Sequence, residues 1–358
     1  MSAGIAPVTR EAVCALLRTG TPPVESVTAD VIVAARAGSV HLLLADRLQL
    51  TALAGELREA AIVDDVRAHE LRAVLAGMTA AGVRPILLKG AALARTHYPR
   101  PELRPRSDTD LMIPASAREV VARTLIGLGY ARALEVDGEL AVGQFHFQKH
   151  DRHGLFHALD VHWRVSNVRV FADVLTYEEL ARDAAAVPGL GANAWGPSPV
   201  HALLVACVHR VGHHGDTDDL LWLFDVHLLA RAFTREQRDS FTELASARRM
   251  RAVCARTLSL AQAAFGGVDA EWIATLSAAG LLAEPSAAFV GGGLRQVDIL
   301  RADLAATKRW TARVQLLREH LFPRPAFMYE RYGTRRKLAL PWLYLCRIVT
   351  GLPKWFRR

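Results

Sequence analysis

The sequence has few cysteines, no long apolar run and no obvious leader. Its four cysteines lie far apart and form no Cys-x-x-Cys pattern, which argues against a zinc cluster or a disulfide framework and favours reduced, buried, structural thiols. No stretch of about 18 uninterrupted apolar residues occurs, so a membrane-spanning helix is not expected. The N-terminus lacks a basic segment followed by an apolar core, so no signal peptide is evident and a cytoplasmic location is the default expectation.

The composition predicts a sizeable core and a basic surface. Hydrophobic residues make up 51% of the 358 residues and charged residues 22%, which allows two or three domains with buried cores. The formal net charge is +8 and the isoelectric point is about 9.7. A basic balance favours nucleotides, nucleic acid or an anionic membrane as partners, without choosing among them.

The stretch from 85 to 114 carries the clearest local pattern. A short apolar run at 86–88 predicts a buried strand that Gly90 ends. Strong helix formers follow, and two prolines close the predicted helix. A second apolar run at 111–113 predicts another strand. The stretch therefore indicates a strand, a glycine turn, a helix, a loop and a second strand.

Two carboxylates, Asp108 and Asp110, accompany the second predicted strand. Because side chains alternate along a strand, the two share one face. Neighbouring carboxylates repel each other unless a cation lies between them, and Mg²⁺ commonly binds one or two carboxylates together with substrate phosphates. The pair therefore predicts a site for Mg²⁺ or Mn²⁺.

Positive groups flank this carboxylate pair. The turn at Gly90 opens a helix whose N-terminal N–H groups and dipole suit a phosphate. Lys89, Arg104 and Arg106 add positive charge. A metal-binding carboxylate pair beside a phosphate-binding turn is what phosphoryl or nucleotidyl transfer requires.

These motifs resemble the DNA polymerase β-like nucleotidyltransferase superfamily, which has a glycine turn, an Asp-x-Asp strand and a third acid on a later strand. Within it, the chain resembles the bacterial uncharacterised nucleotidyltransferase family, with its Leu-Lys-Gly turn, Ser-Asp-x-Asp-Leu strand and Asp-x-His-Trp strand. The segments that carry the resemblance are Lys89-Gly90-Ala91, Arg104 with Arg106, Ser107-Asp108-Thr109-Asp110-Leu111, and Leu159-Asp160-Val161-His162-Trp163. The resemblance extends weakly to the helical ends and so covers most of the chain.

The resemblance implies roles for these residues. The implied catalytic and metal-binding residues are Asp108, Asp110 and Asp160, with Asp160 also serving as the base. The implied nucleotide-binding residues are Lys89, Gly90, Arg104, Arg106, Ser107 and His162. Many superfamily members have Gly-Gly or Gly-Ser at the turn, where a serine hydroxyl can touch the triphosphate. This chain has Gly90-Ala91 instead, and Lys89 is expected to compensate.

The later strand also has a plainer interpretation. Alternation places Asp160, His162 and Arg164 on one face, which is also the pattern of a solvated strand face. The upstream motif favours a functional role for Asp160. His162 could contact phosphate or acceptor, or it could orient Asp160, and these alternatives stay open.

A histidine cluster, His209, His213 and His214, lies in the helical C-terminal half. Zinc is disfavoured because Gly212 interrupts the helix and no glutamate lies between the histidines as in His-Glu-x-x-His. Contact with nucleotide or acceptor and a solvated or packing role both stay open.

Two further positions in this half carry structural expectations. Ser198 is expected to cap a helix that begins at Pro199. Asp225 lies in a strongly apolar helix, where a buried carboxylate would need a partner such as Arg210.

The tail, 335–358, mixes apolar and aromatic residues with basic residues at both ends. One interpretation is a helix lying on an anionic membrane surface. The other is a terminal helix docked on the core, with its basic side chains reaching out to water.

Together these patterns predict an α+β fold, a nucleotidyltransferase-type mixed β-sheet with helices, flanked by N- and C-terminal helical regions. The expected regions are 1–82 (helical), 83–195 (nucleotidyltransferase α/β core) and 196–358 (helical). The expected function is metal-dependent transfer of a nucleoside monophosphate from an NTP to a hydroxyl acceptor on a small molecule, protein or RNA, with release of pyrophosphate. The alternative is a catalytically inactive nucleotide-binding or scaffolding protein, with peripheral membrane contact through the tail.

Overall fold

The computed structural model describes residues 7–19, 27–136, 138–278, 280–334 and 336–356. The signal-peptide expectation rests partly on residues 1–6, and the predicted tail includes Arg335, Arg357 and Arg358. These residues lie outside the described part of the chain.

The N-terminal region is helical. Thr28 caps the second helix through its side-chain oxygen, which accepts a hydrogen bond from the backbone N–H of Val31. The fourth helix buries a stripe at helical spacing that includes Leu71, Leu75 and Met78, and this stripe packs against the sheet. The helices are α1 (Pro7–Thr19), α2 (Ala29–Ala37), α3 (His41–Leu48) and α4 (Ala54–Ala80).

The middle of the chain forms one mixed sheet. Seven strands occur among the described residues, in the order β3-β4-β5-β2-β1-β7-β6. The elements in chain order are β1 (Ile86–Leu87), α5 (Lys89–Thr96), β2 (Thr109–Met112), α6 (Arg118–Gly127), β3 (Ala131–Arg132), β4 (Gln144–His150), β5 (Phe156–His162), α7 (Arg169–Ala172), α8 (Tyr177–Arg182), β6 (Ala185–Ala186) and β7 (Trp195–Gly196). The expected α+β fold with flanking helical regions is confirmed.

Strand β2 lies at the centre of this sheet. It pairs antiparallel with β1 and parallel with β5, and β5 forms the expected antiparallel hairpin with β4. Leu111 and Val161 point to one face and pack against α4 and α6. Because side chains alternate, Asp110 and Asp160 point to the other face.

The C-terminal region is helical. Ser198 caps α9 by accepting a hydrogen bond from His201 N–H, and Pro199 occupies the first turn, as predicted. The helices are α9 (Pro199–Gly212), α10 (Leu220–Arg231), α11 (Arg235–Ala247), α12 (Arg251–Phe265), α13 (Ala270–Leu276), α14 (Gln296–Ala306), α15 (Trp310–Leu321), α16 (Pro325–Arg331) and α17 (Leu340–Phe356). Helices α9, α10 and α12 form a second core with Ile86, Leu88 and Met112 of the sheet.

The predicted partner of Asp225 is wrong. Asp225 pairs with Arg104 through two hydrogen bonds of 2.8 and 2.6 Å. Arg210 is fully buried and pairs instead with Asp216. Spacing along a helix cannot reveal a partner that comes from a distant loop.

The structure also bears on the expectations about cysteines, membrane-spanning helices and region boundaries. The four cysteines are unpaired, with Cys14, Cys207 and Cys254 buried and Cys346 half-buried. Within the described ranges, no helix is both long and apolar enough to cross a bilayer. Strand β7 spans the boundary predicted between 195 and 196, and the division into three regions stays a prediction.

Candidate active site

The pairing of three strands brings the acidic groups of the site together. In the parallel pair, Asp110 of β2 lies opposite Asp160 of β5. In the hairpin, His146 of β4 lies opposite the same Asp160. Since strand neighbours point to the same face, these three side chains form one row across the sheet. Asp108 precedes Asp110 by two positions and continues the same face.

Lys89 begins α5 and points back into this row. Its Nζ lies 2.6 Å from Asp110 Oδ1, and both side chains are buried. Its backbone has a φ of +46°, a left-handed conformation that is uncommon for a residue with a β-carbon. Residues held in such conformations are often found at functional sites.

His162 contacts the same oxygen of Asp110. Its Nε2 lies 2.9 Å from Asp110 Oδ1, and because an ionised carboxylate only accepts hydrogen bonds, Nε2 is the donor. Its Nδ1 is buried with no hydrogen-bond partner in the described part of the chain. Asp110 therefore receives both a cation and an imidazole N–H.

The two carboxylates of the Asp-x-Asp motif differ in their electrostatics. Burial alone would raise the pKa of Asp110, but the charge of Lys89 and the hydrogen bond from His162 outweigh it and hold the pKa far below its usual value. The pKa of Asp108 is raised, first by burial and then by the charges of Asp110 and Asp160. Asp110 is thus already neutralised by protein groups, whereas Asp108 is not.

Three residues could hold a metal ion. One ligand atom each from Asp110, Asp160 and His162 lies within 4.8 Å of the others. This set differs from the predicted Asp108, Asp110 and Asp160, because it contains His162 and not Asp108.

His146 is a site residue that sequence reasoning missed. Its Nε2 lies 3.3 Å from Asp160 Oδ2, and its Nδ1 contacts Glu135. The hydrogen bond that His146 donates to Asp160 is the first cause of a raised pKa for His146. A hairpin closed by the predicted turn at 150–154 would pair Asp160 with Gln144, whereas the observed partner is His146, two positions further along β4. The sequence therefore indicated the face on which His146 lies but not its pairing.

Arg104 lies against the glycine turn but is held by α10. Its Nε and Nη2 donate to Asp225, which also accepts from Tyr98 Oη at 2.7 Å. Among the described residues, its Nη1 has a long hydrogen-bond contact of 3.5 Å, to Pro105 O. A β-carbon placed on Gly90 would lie 2.5 Å from this Nη1, so the absence of a side chain at Gly90 makes room for the guanidinium.

Arg106 is held from the other side by α4. Its Nη2 lies 2.6 Å from Asp64 Oδ1, and Arg95 lies 2.6 Å from the second oxygen of Asp64. Ser107 follows as an exposed residue. The two arginines predicted to bind phosphate are therefore held in buried ion pairs, Arg104 with Asp225 of α10 and Arg106 with Asp64 of α4.

One cavity of about 920 Å³ lies against the predicted site. It is lined by every predicted site residue, namely Asp108, Asp110, Asp160, Lys89, Gly90, Arg104, Arg106, Ser107 and His162. Its volume is at the upper end of the range for small-molecule sites. Residues of the β6–β7 hairpin and of α9 add a largely apolar part of the lining.

The histidine cluster forms the remaining wall of this cavity. His209 and His214 lie with Nε2 atoms 3.2 Å apart, and His214 stacks on Trp222 with ring centroids 3.8 Å apart. Burial, followed by the charge of Lys89, lowers the pKa of His213 to about 3 and that of His209 well below its usual value. These imidazoles are neutral near pH 7 and present nitrogen atoms and ring faces to the cavity.

A comparison with protein families finds a match over most of the described sheet and helices. The family model described as an uncharacterised nucleotidyltransferase matches residues 34–266, a span that includes the whole sheet, the cavity and α9 to α12. A comparison with curated proteins gives no match.

Proposed function

The chain belongs to the uncharacterised nucleotidyltransferase family, and from this premise we propose that it transfers a nucleoside monophosphate from an NTP to a hydroxyl acceptor and releases pyrophosphate. We also propose that its sheet is of the DNA polymerase β-like type. The observation that carries the proposal is the row of Asp110 and Asp160 across β2 and β5, with Lys89 beside it at the edge of a large cavity.

The donor set fits a divalent cation. Asp110 and Asp160 supply oxygen ligands of the kind that Mg²⁺ and Mn²⁺ prefer. Asp108 adds a third carboxylate, whose pKa is raised first by burial and then by its acidic neighbours. His162 could add a nitrogen ligand if it released Asp110. Such a cation, when bound, polarises the reacting phosphate and offsets the charge that develops on it.

The triphosphate is proposed to lie along the first turn of α5. Lys89 and Gly90 of this turn line the cavity, at the end of α5 that carries its unpaired N–H groups and the positive end of its dipole. Lys89 would move from Asp110 to a phosphate oxygen once a cation neutralises the carboxylate. Of the two arginine candidates, Arg104 has its Nη1 at the glycine turn, with a long contact to Pro105 O. Arg106 has an Nε without a hydrogen-bond partner among the described residues.

Asp160 is the proposed base. It would accept the proton of the acceptor hydroxyl as the new bond between that oxygen and the α-phosphorus forms. The bond from the α-phosphorus to the bridging oxygen breaks at the same time, and pyrophosphate leaves with that oxygen. His146 contacts Asp160 from the neighbouring strand and positions its carboxylate.

The histidine wall is proposed to contact the nucleotide base or the acceptor. Neutral imidazoles and the indole of Trp222 suit a planar, uncharged group better than a phosphate. His213→Gln should therefore raise the KM for NTP or acceptor more than it lowers kcat. A pure loss of kcat would instead place His213 at the reacting atoms.

Transfer of label is the test of the function. The protein would be incubated with each α-labelled NTP and Mg²⁺ or Mn²⁺, alone and with cell extract. We expect label to move to an acceptor, and this movement to be lost in Asp108→Asn and Asp160→Asn. Asp173→Asn is the matched control, because Asp173 is a surface carboxylate with 62% of its side chain exposed. Full activity of both site variants would refute the proposal.

The alternative is a protein that binds nucleotide, or acts as a scaffold, without turnover. The absence of a serine after Gly90 favours it, since Ala91 offers no hydroxyl to the triphosphate. Metal-dependent NTP binding without transfer in any extract would support this alternative. Absence of NTP binding would support the scaffold.

A further inference from the structure

We propose that the outer face of α17 lies on an anionic membrane surface and holds the protein there peripherally. The face consists of Trp342, Leu345, Val349 and Phe356, which we call the outer stripe. Their exposed fractions are 64%, 50%, 58% and 55%. At 100° per residue these four positions fall within an arc of about 60°, along about 20 Å of helix.

The outer stripe is not the face that docks on the protein. The opposite side of α17 packs through Leu343, which is buried against Phe327 and Met328 of α16. Tyr344 Oη donates to Pro323 O at 2.7 Å, and Trp355 contacts the ring of His320. The helix is therefore held by one apolar face and presents a second one outward, so docking alone does not account for its sequence.

The charge around the stripe favours anionic lipid over other occupants. Residues 331–358 contain eight Lys or Arg and no Asp or Glu. That number equals the net charge of +8 of the whole chain, so the remainder of the chain is balanced. Basic residues also flank both ends of the stripe in sequence, as in helices that lie in the membrane interface.

Two other occupants fit less well. A second copy of this chain would bring two acid-free, basic segments together, and like charges repel across such a contact. Nucleic acid would match the charge, but Leu345 and Val349 offer it neither a stacking surface nor a hydrogen bond. An apolar stripe with tryptophan at its beginning and basic flanks matches the headgroup boundary of a bilayer.

Vesicle sedimentation tests the proposal with the full-length protein. The vesicles are phosphatidylcholine alone, or phosphatidylcholine with phosphatidylglycerol. We expect at least about tenfold tighter binding to the anionic vesicles, weakened by salt. The variant Trp342→Ser/Leu345→Ser/Val349→Ser should lose at least about tenfold of that affinity. The label-transfer chemistry does not enter this measurement, so the two proposals fail independently.

The matched control removes exposed apolar side chains elsewhere. Val33, Ile62 and Ile126 are 62%, 66% and 58% exposed on other helices, and their triple serine variant should bind vesicles like the unchanged protein. Equal binding by the stripe variant, or no binding by the unchanged protein, would overturn the proposal. Self-association without lipid that the stripe variant abolishes would assign the stripe to a second copy and would also overturn it.

Discussion

Replacing Gly90 with alanine should displace Arg104 and destabilise the protein. The new β-carbon would lie 2.5 Å from Arg104 Nη1 and 3.2 Å from its Cζ, and contacts become ordinary only from 3.4 Å outward. Arg104 cannot easily yield, because two of its nitrogens are bonded to the buried Asp225. Loss of one partner from a buried ion pair costs about 3–5 kcal/mol, and we expect a strained pair to cost roughly half of that.

The intrinsic preference of the backbone works in the opposite direction. Alanine is favoured over glycine inside a helix by about 1 kcal/mol, and Gly90 does not have a positive φ. The net loss in the free energy of unfolding should therefore be about 0.5–1.5 kcal/mol. If the contact with Arg104 is the cause, the same change in an Arg104→Lys background should be neutral or stabilising, since lysine keeps the charge without Nη1.

Denaturant unfolding measures this coupling between the two positions. The four proteins compared are the unchanged chain, Gly90→Ala, Arg104→Lys and the double variant. A coupling free energy of about 2 kcal/mol is expected. An equal cost of Gly90→Ala in both backgrounds would refute the reasoning.

Three further predictions concern charge. Lys89→Met should tighten Mn²⁺ binding and weaken NTP binding, measured by equilibrium dialysis, because Lys89 now neutralises Asp110; weaker binding of both ligands would contradict this role. Burial lowers the pKa of His227 to about 4, so the unfolded state alone gains this proton as pH falls from about 6.5 to 4, and stability should fall by up to about 3 kcal/mol. His227→Gln should lose this part of the pH dependence of unfolding, and an unchanged profile would argue against it. Asp216→Asn should cost about 3–5 kcal/mol in denaturant unfolding, because it leaves the fully buried Arg210 without its carboxylate, and a cost below about 1 kcal/mol would contradict a buried pair.

The sequence could predict which strand face carries the site, but not the ion pairs and hydrogen bonds that hold the site residues in place. Strand alternation is a local rule, so it placed Asp108 with Asp110 and Asp160 with His162 on shared faces before any pairing was known. The hairpin between β4 and β5 was also readable from its turn. Its register was not readable, because the predicted turn at 150–154 would pair Asp160 with Gln144 and the observed partner is His146.

The ion pairs and hydrogen bonds that hold the site residues join positions far apart in the sequence, which no rule on local sequence can predict. Asp225 lies 121 positions from its partner Arg104, and Asp64 holds Arg106 from a helix in the N-terminal region. The contact of His162 with Asp110 likewise follows from the parallel pairing of β2 with β5, which a motif does not specify. The motif identifies the residues, whereas the tertiary fold decides which of them are already neutralised.

The parallel pairing of β2 with β5 also has a consequence for folding. His162 and Asp110 are 52 positions apart, and β4 with β5 can form a hairpin before β2 arrives. Contacts of long sequence separation form slowly, because the chain between them must be ordered first. The hairpin can therefore exist in a partly folded chain that has no acidic row. A transient release of β2 would separate Asp110 from both Asp160 and His162 at once, so hydrogen exchange at the amides of β2 would report directly on how often the site comes apart.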